Sequence, residues 1–171
     1  GVNRDGYALA SALGHTVVAP KPSLVPLEAE PELCAWMQGL SLKNVRLTVR
    51  DGGKKPVFSD FGEMLFTHFG VSGPLVMSAS AHMRDFDTRK YTLSIDLKPA
   101  LDEPTLDGRL QRDLAQMGKA SLERLLAGLL PRSLVPVLAR QSGIPADQRL
   151  ATLSAEQRGH LVALLKGLEL T

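Results

Sequence analysis

Cysteine is nearly missing from this chain: Cys34 stands alone among 171 residues, which excludes an intrachain disulfide and a thiolate metal cluster. Flanked by Leu33, Ala35 and Trp36, it reads as a buried, inert thiol. No apolar run approaches the roughly 18 to 20 residues that a bilayer span needs, and no charged start followed by an apolar core marks a signal peptide. Neither sign of charge dominates, since 20 basic residues face 18 acidic ones, so bulk charge makes no case for nucleic acid or an anionic membrane. The default expectation is a cytoplasmic protein with no membrane partner. The histidines (His15, His68, His82, His160) are scattered without H-E-x-x-H spacing, and no metal is expected. Also missing is the G-x-G-x-x-G fingerprint of a pyrophosphate turn: Gly70-x-x-Gly73 and Gly52-Gly53 have the wrong spacing.

What is present concentrates at Gly62–Pro74. Met64 and Phe66 alternate with Glu63, Leu65 and Thr67 as a pleated segment would, Gly70 and Gly73 free the backbone to turn, and Pro74 fits the first position of a helix. A helix opened there (Leu75, Val76, Ser78, Ala79, His82) would aim unpaired N–H groups back toward Thr67, His68 and Ser72, a corner able to hold an anionic or strongly polar ligand. The same pattern also suits a tight strand-to-helix connection in which Ser72 or Gly73 only caps the helix.

Elsewhere the first part of the chain reads as short helix, then strands. Asp5 begins a helix (Tyr7, Ala8, Leu9, Ala12, Leu13), glycine-flanked at Gly1 and Gly6, that Gly14 ends. Thr16 to Ala19 reads as a strand, Pro20-Lys21-Pro22 breaks it, Leu24 to Leu27 resumes extended structure, and 31–39 looks irregular. Val45, Leu47 and Val49 alternate with Arg46, Thr48 and Arg50. Asp51-Gly52-Gly53 then signals a hairpin, with Val57 to Phe61 returning and Tyr91 to Leu97 adding a strand. Lys43, Arg46, Arg50, Lys54 and Lys55 make this hairpin basic, either to meet phosphate-rich partners or as a solvated face that keeps strands from mispairing.

After Pro99 the period changes to that of helices. Leu106, Leu110, Leu114 and Met117 share one face, and Leu122, Leu125, Leu126 and Leu129 another. Ser133 is placed to cap a third helix with Pro136 in its first turn, and Ser154 with Gln157 forms a capping box before a fourth that Gly167 stops. Leu168 to Thr171 looks like the start of a strand with nothing left to pair with. The fold class expected is α+β, an antiparallel β part followed by an all-α part. The missing initial methionine and the strand-like tail suggest either an excised insert or a trimmed free-standing domain.

Three segments carry a resemblance to a known family. Arg4-Asp5-Gly6-Tyr7 through Leu13-Gly14-His15-Thr16 looks like a T-G-D-G-Y…L-G-H-T helix. Pro20-Lys21-Pro22-Ser23-Leu24-Val25-Pro26-Leu27 is similar to a P-x-P-S/A-L-V-P-L run, and the Gly62–Pro74 stretch is the third. Together they resemble the middle region of bacterial NAD(P)/FAD-dependent oxidoreductases of the YhiN/BaiN type. The resemblance implies a β-barrel-like subdomain at 16–99 with a short helix at 74–83, and a four-helix subdomain at 100–167. Residues 1–15 and 168–171 would belong to the parent flavin-binding fold. It implies FAD in the parent, none tightly bound to these residues, and the flavin-binding domain of the same polypeptide as partner. The chain would then be an insert that covers the flavin and helps form a pocket for a small-molecule or RNA substrate. Thr67, Gly70, Ser72, Gly73, Asp5 and Gly6 would face substrate or cofactor, His68 would serve as a proton donor or polar anchor, and Glu63 is a second candidate or else a surface strand carboxylate. The rival expectation is an RNA-binding or protein-interaction module working through Arg46, Arg50, Lys54 and Lys55.

Overall fold

In the computed structural model, which describes residues 4–86 and 88–171, helix α1 (Asp5–Ala12) runs to Leu13 and Gly14, the latter at φ 86°. The glycine flank expected at Gly1 lies outside the described residues. Thr16–Ala19 is not a strand: Val18 is 83 % exposed and no neighbouring strand offers a ladder, so its β-branched side chains have nothing to pack on. The first strand is β1 (Leu27–Glu28), and 31–39 is not irregular but opens with α2 (Pro31–Trp36). Pro31 fits the helix start because its absent N–H would have had no partner, and the six residues bury Cys34. That span is too short to show a helical period.

Alternation decides the sheet. In β2 (Ser41–Arg50), Leu42, Val45, Leu47 and Val49 are buried while Lys43, Arg46 and Arg50 face outward. Its register with β3 (Phe58–Phe66) slips between Leu42 and Val45, a bulge where Asn44 takes φ 58°. With β4 (Gly70–Ser72), β5 (Thr92–Asp96) and β6 (Leu168–Leu170), the described residues form one sheet in the order β1-β4-β3-β2-β5-β6, every neighbour antiparallel. The tail therefore has a partner after all: Leu93 faces Leu170 and Ile95 faces Leu168. A pairing over such sequence separation leaves no local signal.

The sheet curls until its edge strands meet. Glu30 N–H donates to the Thr171 carbonyl at 3.2 Å, and the Thr171 hydroxyl donates to Glu30 Oε1 at 2.6 Å. These bonds close one end of the seam between β1 and β6, giving a barrel-like shape with the rest of the seam open. Helix α3 (Pro74–Ser80) buries Leu75, Val76 and Ala79 against β3. Ser80, fully buried, donates to Met77 C=O at 2.8 Å and accepts Val25 N–H at 2.9 Å, which ties the segment before β1 to this helix.

Four helices follow: α4 (Glu103–Gln116), α5 (Leu122–Ala127), α6 (Val135–Gln141) and α7 (Ala155–Lys166). The capping box forms, with Gln157 N–H on Ser154 Oγ at 3.1 Å and Ser154 N–H on Gln157 Oε1 at 3.0 Å. Ser133 does not cap α6: Leu134 holds that position and no side chain bonds the helix end. Asp107 on α4 meets Arg158 on α7 at 2.5 Å, and the guanidinium, then Gln111, hold its carboxyl below the usual range. Lys166, in the last turn of α7, reaches Asp96 on β5 at 2.7 Å and joins helices to barrel. The architecture is the α+β expected, barrel-like sheet first and helices after. No helix among the described residues is long and apolar enough to cross a membrane.

Candidate functional site

The corner singled out at Thr67–Pro74 is a tight β3–β4 turn at 67–69, the short strand β4, and the start of α3. Thr67 N–H donates to Gly70 C=O at 2.8 Å, and Phe69 N–H to Thr67 Oγ1 at 3.4 Å. His68 stands exposed at the tip, its ring edge-on to Phe69 with centroids 5.0 Å apart. Thr67, Ser72 and Gly73 are half-buried, and Ser72 belongs to β4, opposite Leu65.

The two glycines serve the sheet itself. A methyl group on Gly70 would fall on the Leu27 carbonyl oxygen and within 2.8 Å of Ala29 N, because β1 crosses directly over it. Gly73 takes φ 96°, and a methyl there would lie 3.0 Å from Met64 Cα. The close approach they permit is of the chain to itself. Glu63 is exposed on the outer face of β3, and Asp5 and Gly6 are exposed in the first turn of α1. The structure thus places Thr67 and His68 in the β3–β4 turn, Gly70 and Ser72 in β4, and Gly73 at the start of α3.

None of those residues lines an apolar cavity of about 830 Å³ that the described residues form at the open part of the seam. One wall is Pro22, Val25, Pro26 and Leu27, from the segment carrying the P-x-P-S-L-V-P-L pattern, and the other is Met83, Phe86, Tyr91 and Leu93. Glu28, Arg89 and Lys90 are its charged lining residues, and Thr171, bonded to Glu30, sits at its closed end. Tyr91 fixes the far wall, since its hydroxyl donates to Arg84 C=O and accepts Arg84 N–H at 2.9 Å. Sequence reasoning found the first wall as a motif but missed the second. Met83 and Phe86 lie in an aperiodic loop, and only Tyr91 and Leu93 carried a strand signal.

The basic hairpin is open to solvent. Arg46 sits opposite Phe61 on one side and Asp96 on the other, Arg50 faces Thr92, and Lys54 and Lys55 occupy the 51–57 loop. Asp51 pins that loop by accepting Gly53 N–H at 3.1 Å and pairing with Arg89 at 2.7 Å. Among the described residues, Arg46, Arg50, Lys54 and Lys55 enter no ion pair. Helix α1 buries no residue: Tyr7 is 46 % and Leu9 65 % exposed, with Leu13 beyond it at 78 %. Cys34 is fully buried, and desolvation, then the Glu30 charge, push its thiol up to about 11, so it stays protonated at neutral pH.

The family described as HI0933-like protein barrel and H2TH domain matches residues 21–171. The chain is also similar to a 3-dehydro-bile acid delta(4,6)-reductase of Clostridium scindens, 26 % identical over all of this chain and 42 % of that protein. A ribosomal RNA dihydrouridine synthase of Haemophilus influenzae is 30 % identical over all of this chain and 40 % of its own length. The same-named protein of Escherichia coli is 30 % identical over 96 % of this chain and 38 % of its own. The chain therefore spans about two fifths of each of these relatives.

Proposed function

We propose a function from one premise: the chain belongs to the HI0933-like protein barrel and H2TH domain family. On that premise it is the substrate-covering part of a flavin-dependent reductase, and the apolar body of the acceptor enters the seam cavity. The names of its relatives, a 3-dehydro-bile acid delta(4,6)-reductase and ribosomal RNA dihydrouridine synthases, both denote reduction of an unsaturated acceptor. FAD is the expected electron carrier of the parent protein. The residues described here do not fit its pyrophosphate, because the only closely spaced glycines near a helix start, Gly70 and Gly73, are consumed by β1 and β3. The flavin's own site is accordingly assigned to another part of the same polypeptide, and the uncovered apolar side chains of α1 suit a contact with that part.

The seam cavity carries this reading. Its volume falls within the range of small-molecule sites, about 300 to 1,000 Å³, and its lining is mainly aliphatic and aromatic, with Glu28, Arg89 and Lys90 as the charged members. Such walls select a bulky apolar ring system. Val25→Trp, made in the full-length protein, fills the cavity from the Pro22–Leu27 wall, where the Val25 N–H is held on Ser80 Oγ. The expected result with a 3-oxo-steroid enone is a KM raised about tenfold, equivalent to roughly 1.4 kcal/mol of binding, with flavin content and kcat kept. An unchanged KM would remove the cavity from substrate binding. His68, exposed at the β3–β4 turn, does not line the seam cavity, so it is proposed as proton donor or polar anchor only to a part of the acceptor that projects beyond that cavity.

A second reading, RNA as the acceptor, is favoured by the four hairpin cations that no ion pair among the described residues engages. If they grip a single strand, changing Arg46, Arg50, Lys54 and Lys55 together to alanine reduces the slope of log K against log salt by about 0.7 for each phosphate no longer neutralised. A slope identical in the quadruple variant would exclude the hairpin as the RNA-binding surface.

A further inference from the structure

Arg46 and Arg50 stand on β2, which with β3 forms the middle of the sheet, two strands from either edge. Charges that keep strands from mispairing belong on edge strands, so that role does not account for these two. Their direction follows from their neighbours. Leu47 and Val49 are buried, so the residues between and beside them point to the opposite, outer face. There Thr48 Oγ1 and Ser59 Oγ lie 3.1 Å apart across β2 and β3. Alternation puts Arg46 and Arg50 on either side of Thr48 and Phe61 next after Ser59, with Arg46 and Phe61 directly opposite each other. The bulge between Leu42 and Val45 lies outside this stretch and leaves its alternation intact.

Phe61 is 49 % exposed. Phe86, also exposed, packs on Tyr91 with centroids 5.6 Å apart, whereas among the described residues Phe61 enters no ring contact and no cation–π pair. A phenyl ring left half in water forgoes much of the burial energy that usually places phenylalanine inside. The charge around it is mainly positive. On β2, β3 and the loop joining them, Lys43, Arg46, Arg50, Lys54 and Lys55 enter no ion pair among the described residues. Of the acids on the same segment, Asp51 is paired with Arg89, Asp60 turns back to accept Phe61 N–H at 2.7 Å, and Glu63 is exposed.

We propose, resting on the RNA reading above, that this outer face holds single-stranded RNA with one base stacked on Phe61. Arg46 beside the ring and Arg50, about 13 Å further along the strand, take phosphates of the same segment. A base lies flat on an exposed ring only when it is unpaired, which selects a single strand over a duplex. The excess of cations selects a polyanion. Stacking then supplies the part of the affinity that salt does not remove, and the cations supply the part that it does.

The test is fluorescence anisotropy of the full-length protein with an unstructured, labelled single-stranded RNA about 12 nucleotides long. Phe61→Leu keeps an apolar side chain on the strand but has no π-face. It should weaken binding about tenfold, with the slope of log K against log salt as in the parent. Phe61→Trp should bind at least as tightly as the parent, and it covers the case in which the leucine disturbs the sheet. Affinity for a duplex of the same length should respond to neither change. Unchanged affinity in Phe61→Leu, with the slope still reduced in the quadruple variant above, would overturn the stack and leave the RNA reading standing. No binding of the single strand would overturn both. Polyglutamate that displaces the labelled RNA as well as unlabelled RNA does would assign this face to an acidic protein and overturn the proposal.

Discussion

Gly70→Ala is expected to lower the melting temperature by about 6 to 12 °C, from a cost near 3 kcal/mol at the overpacked end of the scale. The backbone conformation of Gly70 is not the obstacle, for its φ is not among the left-handed values. The obstacle is β1, whose Leu27 carbonyl, Glu28 Cα at 2.9 Å and Ala29 nitrogen at 2.8 Å surround the place a methyl would take. These are backbone atoms, so no side-chain rotation relieves the clash. β1 must separate from β4, losing the Leu27–Val71 and Glu28–Gly70 pairing and the bond from Ala29 N–H to Phe69 C=O at 3.2 Å. One wall of the seam cavity goes with it, so acceptor binding should weaken together with stability. Gly108→Ala is the control: it sits in α4 with open space around it, where alanine should stabilise by about 0.5 to 1 kcal/mol. A Gly70 variant melting within about 2 °C of the parent, less than 1 kcal/mol on that scale, would mean that β1 does not cross where it is placed.

This glycine also shows how far local sequence reaches. The sequence marked Gly70 as a position of close approach, and in the structure a strand some forty residues earlier, β1, passes directly against it. Local patterns were enough for β2, whose alternation reports a half-buried sheet, and for the Ser154–Gln157 box, whose partners lie three residues apart. They misled at Thr16–Ala19, where β-branched residues run without a neighbouring strand, and at α2, where six residues hold no full period. The seam cavity was half legible. Its motif wall is contiguous in sequence, whereas Met83 and Phe86 become wall only because Tyr91 folds their loop back onto the Pro22–Leu27 segment. The Glu30–Thr171 closure was invisible for the same reason: its partners are 141 positions apart.

Lys166→Met should be nearly as damaging, costing about 3 kcal/mol, the lower end of the range for breaking a buried ion pair from one side. Lys166 and Asp96 are only 16 % and 15 % exposed, and the ammonium uses its donors on Asp96 Oδ2 at 2.7 Å, Lys98 C=O at 3.0 Å and Leu101 C=O at 2.5 Å. Methionine keeps the apolar stem but supplies none of these donors, so a carboxylate and two carbonyls are left short at the joint between barrel and helices. Asp96 retains Lys98 N–H at 2.9 Å, and Arg46 stands directly across the ladder from it, so part of the loss can be recovered. Adding Asp96→Asn to Lys166→Met removes the stranded charge while preserving an acceptor for Lys98 N–H, and the double variant should melt above the single one. If the two losses simply add, the pair is not coupled and the joint is held by apolar packing alone.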